Sequence, residues 1–204
     1  MIKIKNLVFD LGGVLLNIDY NKTAEAFKNL GVKDFDNLYS QATANDLFEA
    51  LETGNITEEE FYKKIKTYCQ PQVTILQIEA AWNAMLLNFR IDSLNHLENL
   101  AESYPIYLLS NTNSIHHKAF SKILFKETGE KSLDDYFVKS YYSHLINCRK
   151  PYPNTFLYVL EDANIVAAET LFIDDSVNNI EGAKSAGMQV FHLQDGKKIQ
   201  DIIL

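Results

Sequence analysis

Five short apolar runs, each followed by a polar or glycine-bearing turn, divide the chain. They lie at residues 2–9, 106–109, 137–142, 171–173 and 190–193. Strands that are buried on both faces of a parallel sheet have this nearly continuous apolar character. The pattern therefore predicts buried parallel strands rather than strands with one face in water.

Helical periodicity fills the intervals between these runs from residue 91 onward. Apolar residues recur at helical spacing around Leu94 and Leu97, again after Pro153, and again after Ser176, with Gly187 placed to end the last of these helices. Strands that alternate with helices are typical of an α/β doubly wound fold with a mostly parallel, Rossmann-like sheet.

Residues 21–90 lack this alternation. A capping box at residues 57–60 precedes Phe61, Ile65 and Tyr68 on one helical face, and residues 76–87 form a further amphipathic stretch. The pattern predicts three or four helices and no strand. We therefore predict a helical cap at residues 16–90, inserted into an α/β core made of residues 1–15 and 91–204.

Composition and charge exclude several classes of protein. The chain has 204 residues and a formal net charge of −8, which disfavours binding to nucleic acid or to an anionic membrane surface. It contains no apolar run of about 18 residues, the length of a membrane span. The two cysteines, Cys69 and Cys148, form no C-x-x-C pair, and we expect reduced thiols in a cytoplasmic protein.

Polar side chains stand where the predicted strands end. Asp10 closes the first run, Ser110 the second, and Asp174 and Asp175 the fourth, while Lys150 follows the third. The carboxyl ends of strands in an open α/β sheet form the ligand crevice, so these residues are expected to meet there.

The residue types suit phosphoryl transfer. A carboxylate such as that of Asp10 can attack phosphorus and form an aspartyl-phosphate. Mg²⁺ takes oxygen ligands and one or two carboxylates, which Asp10 and Asp175 can supply, with Asp174 holding a coordinated water. Ser110 and Lys150 can hydrogen-bond and neutralise the phosphoryl oxygens. The sequence therefore predicts a magnesium-dependent enzyme acting on a small phosphorylated metabolite.

Four motifs carry a resemblance to a known family. They read Asp-Leu-Gly-Gly-Val at 10–14, Ser-Asn-Thr-Asn at 110–113, Arg-Lys-Pro at 149–151 and Asp-Asp-Ser-Val-Asn-Asn-Ile-Glu-Gly-Ala at 174–183. In this order, and over the whole chain, the sequence resembles a haloacid dehalogenase (HAD) superfamily hydrolase with a C1 helical cap. It is most similar to the small phosphatases of that superfamily that include an α-glucose-1-phosphate phosphatase.

The resemblance implies a role for each motif residue. Asp10 would be the nucleophile and Lys150 the charge-stabilising base, while Ser110 and Asn111 would hold phosphate. Mg²⁺ would be bound by Asp10, the carbonyl of Gly12 and Asp175, with Asp174 beside it. The expected substrate is a sugar phosphate such as a hexose 1-phosphate.

The first motif departs from the family pattern at one position. Most phosphatases of the superfamily carry a general acid two residues after the nucleophile, where this chain has Gly12. A missing acid costs about 10²- to 10⁴-fold in rate and matters least when the leaving group is already good. We therefore expect either such a leaving group or an acid from the cap, for which Asp19 and Glu52 are candidates. Glu52 opens a segment resembling the cap's specificity loop, and Arg149 is a further specificity candidate.

Two other functions stay open from the sequence. A 2-haloacid dehalogenase needs neither acid nor metal, although the pair Asp174 and Asp175 favours a metal. A HAD-like scaffold could bind a phosphorylated ligand or a protein with little turnover.

His116 and His117 are expected to be surface imidazoles rather than a metal site, because adjacent helical positions do not face each other. The sequence does not indicate which oligomeric state the protein adopts.

Overall fold

A parallel five-stranded sheet forms the centre of the protein. The structure is a computed structural model and describes residues 3–39, 46–129, 132–194 and 196–202. The strands are β1 (Asn6–Phe9), β2 (Leu16–Ile18), β3 (Leu86–Phe89), β4 (Ile106–Ser110), β5 (Lys139–Tyr142), β6 (Thr170–Asp174) and β7 (Gln189–His192). Five of them pair in the order β5-β4-β1-β6-β7, with every pair parallel. The predicted α/β fold is confirmed; Ile2, at the start of the first predicted run, lies outside the described residues.

Helices surround this sheet. They are α1 (Tyr20–Asn29), α2 (Phe35–Leu38), α3 (Asp46–Glu52), α4 (Glu58–Lys66), α5 (Ile75–Asn83), α6 (Ile91–Ala101), α7 (Ser114–Thr128), α8 (Ser143–Ile146), α9 (Pro153–Asp162) and α10 (Val177–Ser185). Their starts follow local signals: Thr57 and Glu60 form the predicted capping box before α4, and Pro153 opens α9. Within the described residues, none of these helices has the length and hydropathy that a membrane span requires.

Both faces of the sheet are buried, which explains the continuous apolar runs. Leu7 and Phe9 of β1 pack into a cluster shared with α6 and α7. Val8, between them, points to the opposite face and packs with α9 and α10. Successive side chains of a strand alternate between the two faces of the sheet. A strand that is covered on both faces therefore has no solvent-facing position for a polar residue.

The segment between β2 and β3 packs around an apolar cluster of its own. Trp82 is fully buried at its centre, and the rings of Phe48 and Phe61 lie 5.1 and 5.7 Å from the Trp82 ring. Ile115 of α7 joins this cluster from outside the segment. Burial of these aromatic side chains, at about 25 cal/mol per Å², supplies the driving force that holds the helices together.

One expectation for this segment is wrong. The chain was predicted to be helical through residue 87, but α5 ends at Asn83 and β3 begins at Leu86. β3 pairs antiparallel with β2, joining Leu16 to Phe89 and Ile18 to Leu86. A short apolar run can form either a helix or a strand, and here the partner strand, about 70 residues away in sequence, decides.

Candidate active site

The carboxyl ends of three strands and one loop bring the predicted site residues together. Asp10 follows β1, Ser110 ends β4, Asp174 ends β6 and Asp175 follows it, while Lys150 lies on the loop after α8. All but the buried Asp174 line one cavity, which is closed on its other side by residues of the segment between β2 and β3. The site thus lies between the sheet and the helices that the sequence predicted as a cap.

Lys150 is the centre of the cluster. Its side chain is 1% exposed, and its ammonium donates to Asp10 Oδ1 at 2.6 Å and to Asp174 Oδ2 at 2.7 Å. Burial by itself would lower the pKa of Lys150, but the charges of Asp10 and Asp174 outweigh burial and raise this pKa. The ammonium is therefore held in its charged form beside Asp10.

The surroundings of Asp10 disfavour its ionised form. Burial raises the pKa of Asp10 to about 8, and the neighbouring carboxylates of Asp174 and Asp175 add to this effect while Lys150 opposes it. The carboxylate oxygens of these three aspartates lie within 4.8 Å of one another. Three carboxylates against one ammonium leave an excess of negative charge that a cation would neutralise.

Asp174 has both carboxylate oxygens occupied by donors. Oδ1 accepts from the backbone N–H of Ser176 at 2.7 Å and from Asn179 at 3.1 Å, and Oδ2 accepts from Lys150 and, at 3.0 Å, from Asn179. The side chain is fully buried. Asp174 therefore holds Lys150 in place, and Asp175, the half-buried neighbour, faces the cavity.

Gly13 makes room for Asp175. Its φ is +73°, a value that side chains with a Cβ rarely adopt, and a Cβ at this position would overlap the carboxylate of Asp175. The second glycine of the first motif is therefore required by the close approach of the backbone to Asp175.

Asn111 ties the Lys150 loop to the end of β4. Its side-chain amide donates to the Lys150 carbonyl at 2.8 Å, and its Oδ1 accepts from the Lys150 backbone N–H at 2.9 Å. Asn111 was predicted to hold phosphate; in the structure its side chain fixes the backbone of Lys150 at the cavity. Ser110, which is 2% exposed, lines the cavity directly.

Glu52 and Arg149 meet on the cap side of the cavity. Arg149 Nε lies 2.8 Å from Glu52 Oε2, too far off line for a hydrogen bond, so the contact is an ion pair. The hydroxyl of Tyr39 donates to Glu52 Oε1 at 2.9 Å. Burial raises the pKa of Glu52, although Arg149 and Tyr39 oppose this effect. Both oxygens of Glu52 are thus engaged by protein groups.

Asp19, the other acid candidate, and Gly12, at the position of the missing acid, have different surroundings. Asp19 is the N-cap of α1, and its side chain accepts from the backbone N–H of Asn21 at 3.0 Å. At Gly12, a Cβ would lie 2.8 Å from Cδ1 of Ile18. The terminal methyl of Ile18 lies at this point and would have to move to admit a side chain at position 12.

Sequence reasoning missed several supporting residues. His116 was expected at the surface, but it is 5% exposed, stacks on Trp82 with ring centroids 4.4 Å apart, and donates from Nε2 to the Trp82 carbonyl. The contacts of Asn179 with Asp174 and of Tyr39 with Glu52 were not foreseen. The place of Asn179 in the fourth motif, at 174–183, signals the first of these, whereas nothing local signals the other two.

Comparison with known proteins agrees with this geometry. The family model described as haloacid dehalogenase-like hydrolase matches residues 4–187. A D-ribitol-5-phosphate phosphatase of Bacteroides thetaiotaomicron is 34% identical over 193 residues, which is 95% of this chain and 93% of that protein.

Two solved structures are similar over nearly the whole chain. A HAD-family enzyme of Bacteroides thetaiotaomicron, solved as a point variant with magnesium and inorganic phosphate, superposes with a TM-score of 0.89 at 38% identity and covers 96% of each chain. A predicted HAD-like hydrolase of Porphyromonas gingivalis gives 0.85 at 31% identity, covering 95% of this chain and 93% of that one. The protein belongs to the haloacid dehalogenase-like hydrolase family.

Proposed function

We propose that this hydrolase is a magnesium-dependent phosphatase of small phosphorylated sugars or polyols that works through an aspartyl-phosphate on Asp10. The observation that carries the proposal is the cluster of three carboxylates around the buried Lys150 at the carboxyl edge of the sheet. The phosphatase of D-ribitol 5-phosphate among the relatives supports the substrate class.

The residues present fit a magnesium ion. Asp10 and Asp175 offer hard oxygen ligands within 4.8 Å of each other, and the cluster has two negative charges more than Lys150 neutralises. Mg²⁺ commonly binds through one or two carboxylates and keeps several waters. The relative solved with magnesium and phosphate supports this assignment. Bound there with the Gly12 carbonyl as a further ligand, Mg²⁺ would draw charge from the phosphoryl oxygens and keep Asp10 ionised.

The residues of the chain divide the reaction between them. Asp10 attacks phosphorus, the bond from phosphorus to the leaving oxygen breaks, and that oxygen keeps the electron pair. Lys150 neutralises charge on the phosphoryl oxygens, and Ser110 hydrogen-bonds to them. Asn111 contributes the one amide hydrogen that its contact with the Lys150 carbonyl leaves unused. Water then hydrolyses the aspartyl-phosphate and regenerates Asp10.

Residues 16–90 act as the cap that closes over the leaving group. The ion pair of Glu52 and Arg149 forms the polar wall of the cavity on that side. It selects leaving groups that carry hydroxyls. Hexose 1-phosphates belong to the proposed class for a chemical reason: an anomeric oxygen leaves more readily, which suits a site with glycine at the usual position of the acid.

The test is a phosphate-release screen with Mg²⁺ over sugar phosphates, polyol phosphates, nucleotides and p-nitrophenyl phosphate. Asp10→Asn removes the nucleophile and is expected to abolish turnover. Asp92→Asn, at an exposed position on α6, is the matched control and retains activity. Full activity of Asp10→Asn would exclude the aspartyl-phosphate. Metal-independent hydrolysis of 2-chloropropionate would establish a dehalogenase, and ligand binding without turnover on any ester would establish a scaffold.

A further inference from the structure

Tyr20 has a hydroxyl with no hydrogen-bond partner among the described residues. It opens α1, two residues after β2, and lines the same cavity as Asp10 and Gly12. The ring lies 5.9 Å from that of Tyr39. Tyr39 donates its hydrogen to Glu52, so the two tyrosines differ in whether that hydrogen is available to a substrate.

Other polar groups near the cap side of the cavity have partners within the protein. Glu52 is bound by Tyr39 and Arg149, and His116 donates to the Trp82 carbonyl. Tyr20 is therefore a neutral cap-side donor in the described cavity lining whose hydrogen is uncommitted, whereas the guanidinium of Arg149 is paired with Glu52 by charge.

Tyr20 lines the same cavity as Glu52, the acid of the proposed cap, and Asp10. Burial raises the pKa of Tyr20 well above its ordinary value, and the charges of Glu52, then Asp10, add to the effect. The phenol therefore stays protonated at neutral pH and remains a donor.

We propose that Tyr20 donates a hydrogen bond to the oxygen that leaves phosphorus, in the cavity where position 12 is a glycine and supplies no acid. The inference rests on the proposed phosphatase function and names a residue that acts in it. As the bond to phosphorus breaks, the leaving oxygen keeps the electron pair and its charge develops against the hydroxyl of Tyr20. Tyr20 keeps its proton; the oxygen takes one from solvent, and the water that later hydrolyses the aspartyl-phosphate returns one.

A donor of this kind matters in proportion to the charge on the leaving oxygen. Removing one donor to a developing oxyanion costs about 10²- to 10³-fold in kcat where the charge is full. With alkyl esters of sugars and polyols the charge is large, whereas p-nitrophenolate spreads its charge over the ring. Tyr20→Phe is therefore expected to lower kcat about 10- to 100-fold on ribitol 5-phosphate, and less than about threefold on p-nitrophenyl phosphate.

The decisive measurement is the dependence of kcat/KM on leaving-group pKa over a series of substituted phenyl phosphates, with ribitol 5-phosphate beside them. In Tyr20→Phe the rate should fall more steeply with leaving-group pKa than in the wild type. Ratios between substrates are taken within one sample, so a smaller folded fraction cancels. Tyr68→Phe, an exposed tyrosine after α4, is the matched control and keeps the wild-type slope.

The outcomes separate this inference from the function on which it rests. Parallel slopes for wild type and Tyr20→Phe, with equal losses on all esters, would mean that the hydroxyl is structural and would overturn the inference alone. A wild type that releases phosphate from none of the esters would overturn the proposed function and the inference together.

Discussion

Asp174 and Asp175 are adjacent in sequence and chemically identical, yet their surroundings give them different work. Each oxygen of Asp174 accepts hydrogen bonds from donors of the protein, among them Lys150 and Asn179. Asp175 reaches the cavity, where Gly13 leaves room for its carboxylate. The first aspartate therefore holds the lysine, and the second is the one that we propose as a metal ligand.

Asparagine substitutions should separate these two roles. Both oxygens of Asp174 accept hydrogen bonds, so the NH₂ group of Asp174→Asn would point at a donor whichever oxygen it replaces. A buried donor without an acceptor costs about 1–3 kcal/mol of stability. We expect that loss together with a lower kcat. Asp175→Asn should raise the Mg²⁺ concentration for half-maximal activity at least about tenfold. Urea unfolding and magnesium titration of activity measure the two effects; equal metal requirements in both variants would refute the division.

Gly13 offers a second test at the scale of one residue. Gly13→Ala forces a Cβ into a left-handed backbone position and into the carboxylate of Asp175. The backbone strain costs about 1–2 kcal/mol, and displacement of Asp175 should lower activity more than tenfold, about the effect of disturbing a metal ligand. Gly129→Ala is the matched control, because its φ is +93° and a Cβ there meets nothing within 4 Å. It should lose similar stability in urea unfolding and keep full activity; two inactive variants would show that strain alone is responsible.

At the scale of helices and strands, the elements that depend on nearby residues could be predicted from the sequence. The five strands of the parallel sheet and the capping box at Thr57 followed from apolar runs and from a spacing of three residues. Residues at the strand ends were predicted to meet because parallel strands end at one edge. The β2–β3 pair was missed because strands of three and four residues are too short to show a recognisable apolar pattern in the sequence.

The parts of the site that were missed depend on contacts across the chain. Glu52 was recognised as a candidate, but its two partners come from Tyr39, before it, and Arg149, nearly 100 residues after it. The burial of His116 depends on α5 packing against α7, which places Trp82 over the imidazole. A single sequence carries no signal for which of many polar residues such packing will bury.

The contact of α5 with α7 makes folding sensitive to acid. Burial lowers the pKa of His116 from an ordinary 6.5 to about 4, so the folded protein holds this imidazole neutral. The unfolded chain binds a proton below pH 6.5, and the stability present above that pH is lost as the pH falls toward 4. By pH 5 the loss from this histidine should be about 1–2 kcal/mol.

His116→Gln tests this coupling, because glutamine can still donate to the Trp82 carbonyl but does not titrate. At pH 7.5 the variant should be less stable than the wild type, since it loses the stacking on Trp82. Between pH 7.5 and pH 5 its urea midpoint should fall less than that of the wild type. An identical fall in both proteins would assign the acid sensitivity to other groups.

At the scale of the whole molecule, the net charge of −8 opposes the approach of an anionic phosphate ester. Attraction must therefore be local, and the cluster around Lys150 is where a bound cation would reverse the field. The same cluster lies beneath residues that reach over it from α1 and α3, so access to the charge depends on how firmly the proposed cap is seated.

Several contacts seat the proposed cap on the loop that carries Lys150. Asn147 donates from Nδ2 to the Thr53 carbonyl at 2.9 Å, and the hydroxyl of Tyr152 lies 3.2 Å from Glu49 Oε1. A Cβ on Gly54 would overlap the carbonyl of His144, so the two segments approach closely. Since these contacts flank the ion pair of Arg149, loosening them should weaken substrate binding before it affects folding.

Asn147→Gly removes one of these contacts without straining the backbone, because Asn147 has a φ of 54° that glycine adopts freely. Loss of a single hydrogen bond of about 1 kcal/mol should raise KM for a sugar or polyol phosphate about fivefold. The kcat should change less than about twofold, because the groups around Lys150 are untouched. Asn164→Gly, at the other described non-glycine residue with positive φ, lies after α9 and away from the cavity, and should leave both constants unchanged. If Asn147→Gly lowers kcat and leaves KM unaltered, the contact serves the chemical step rather than the seating of the cap.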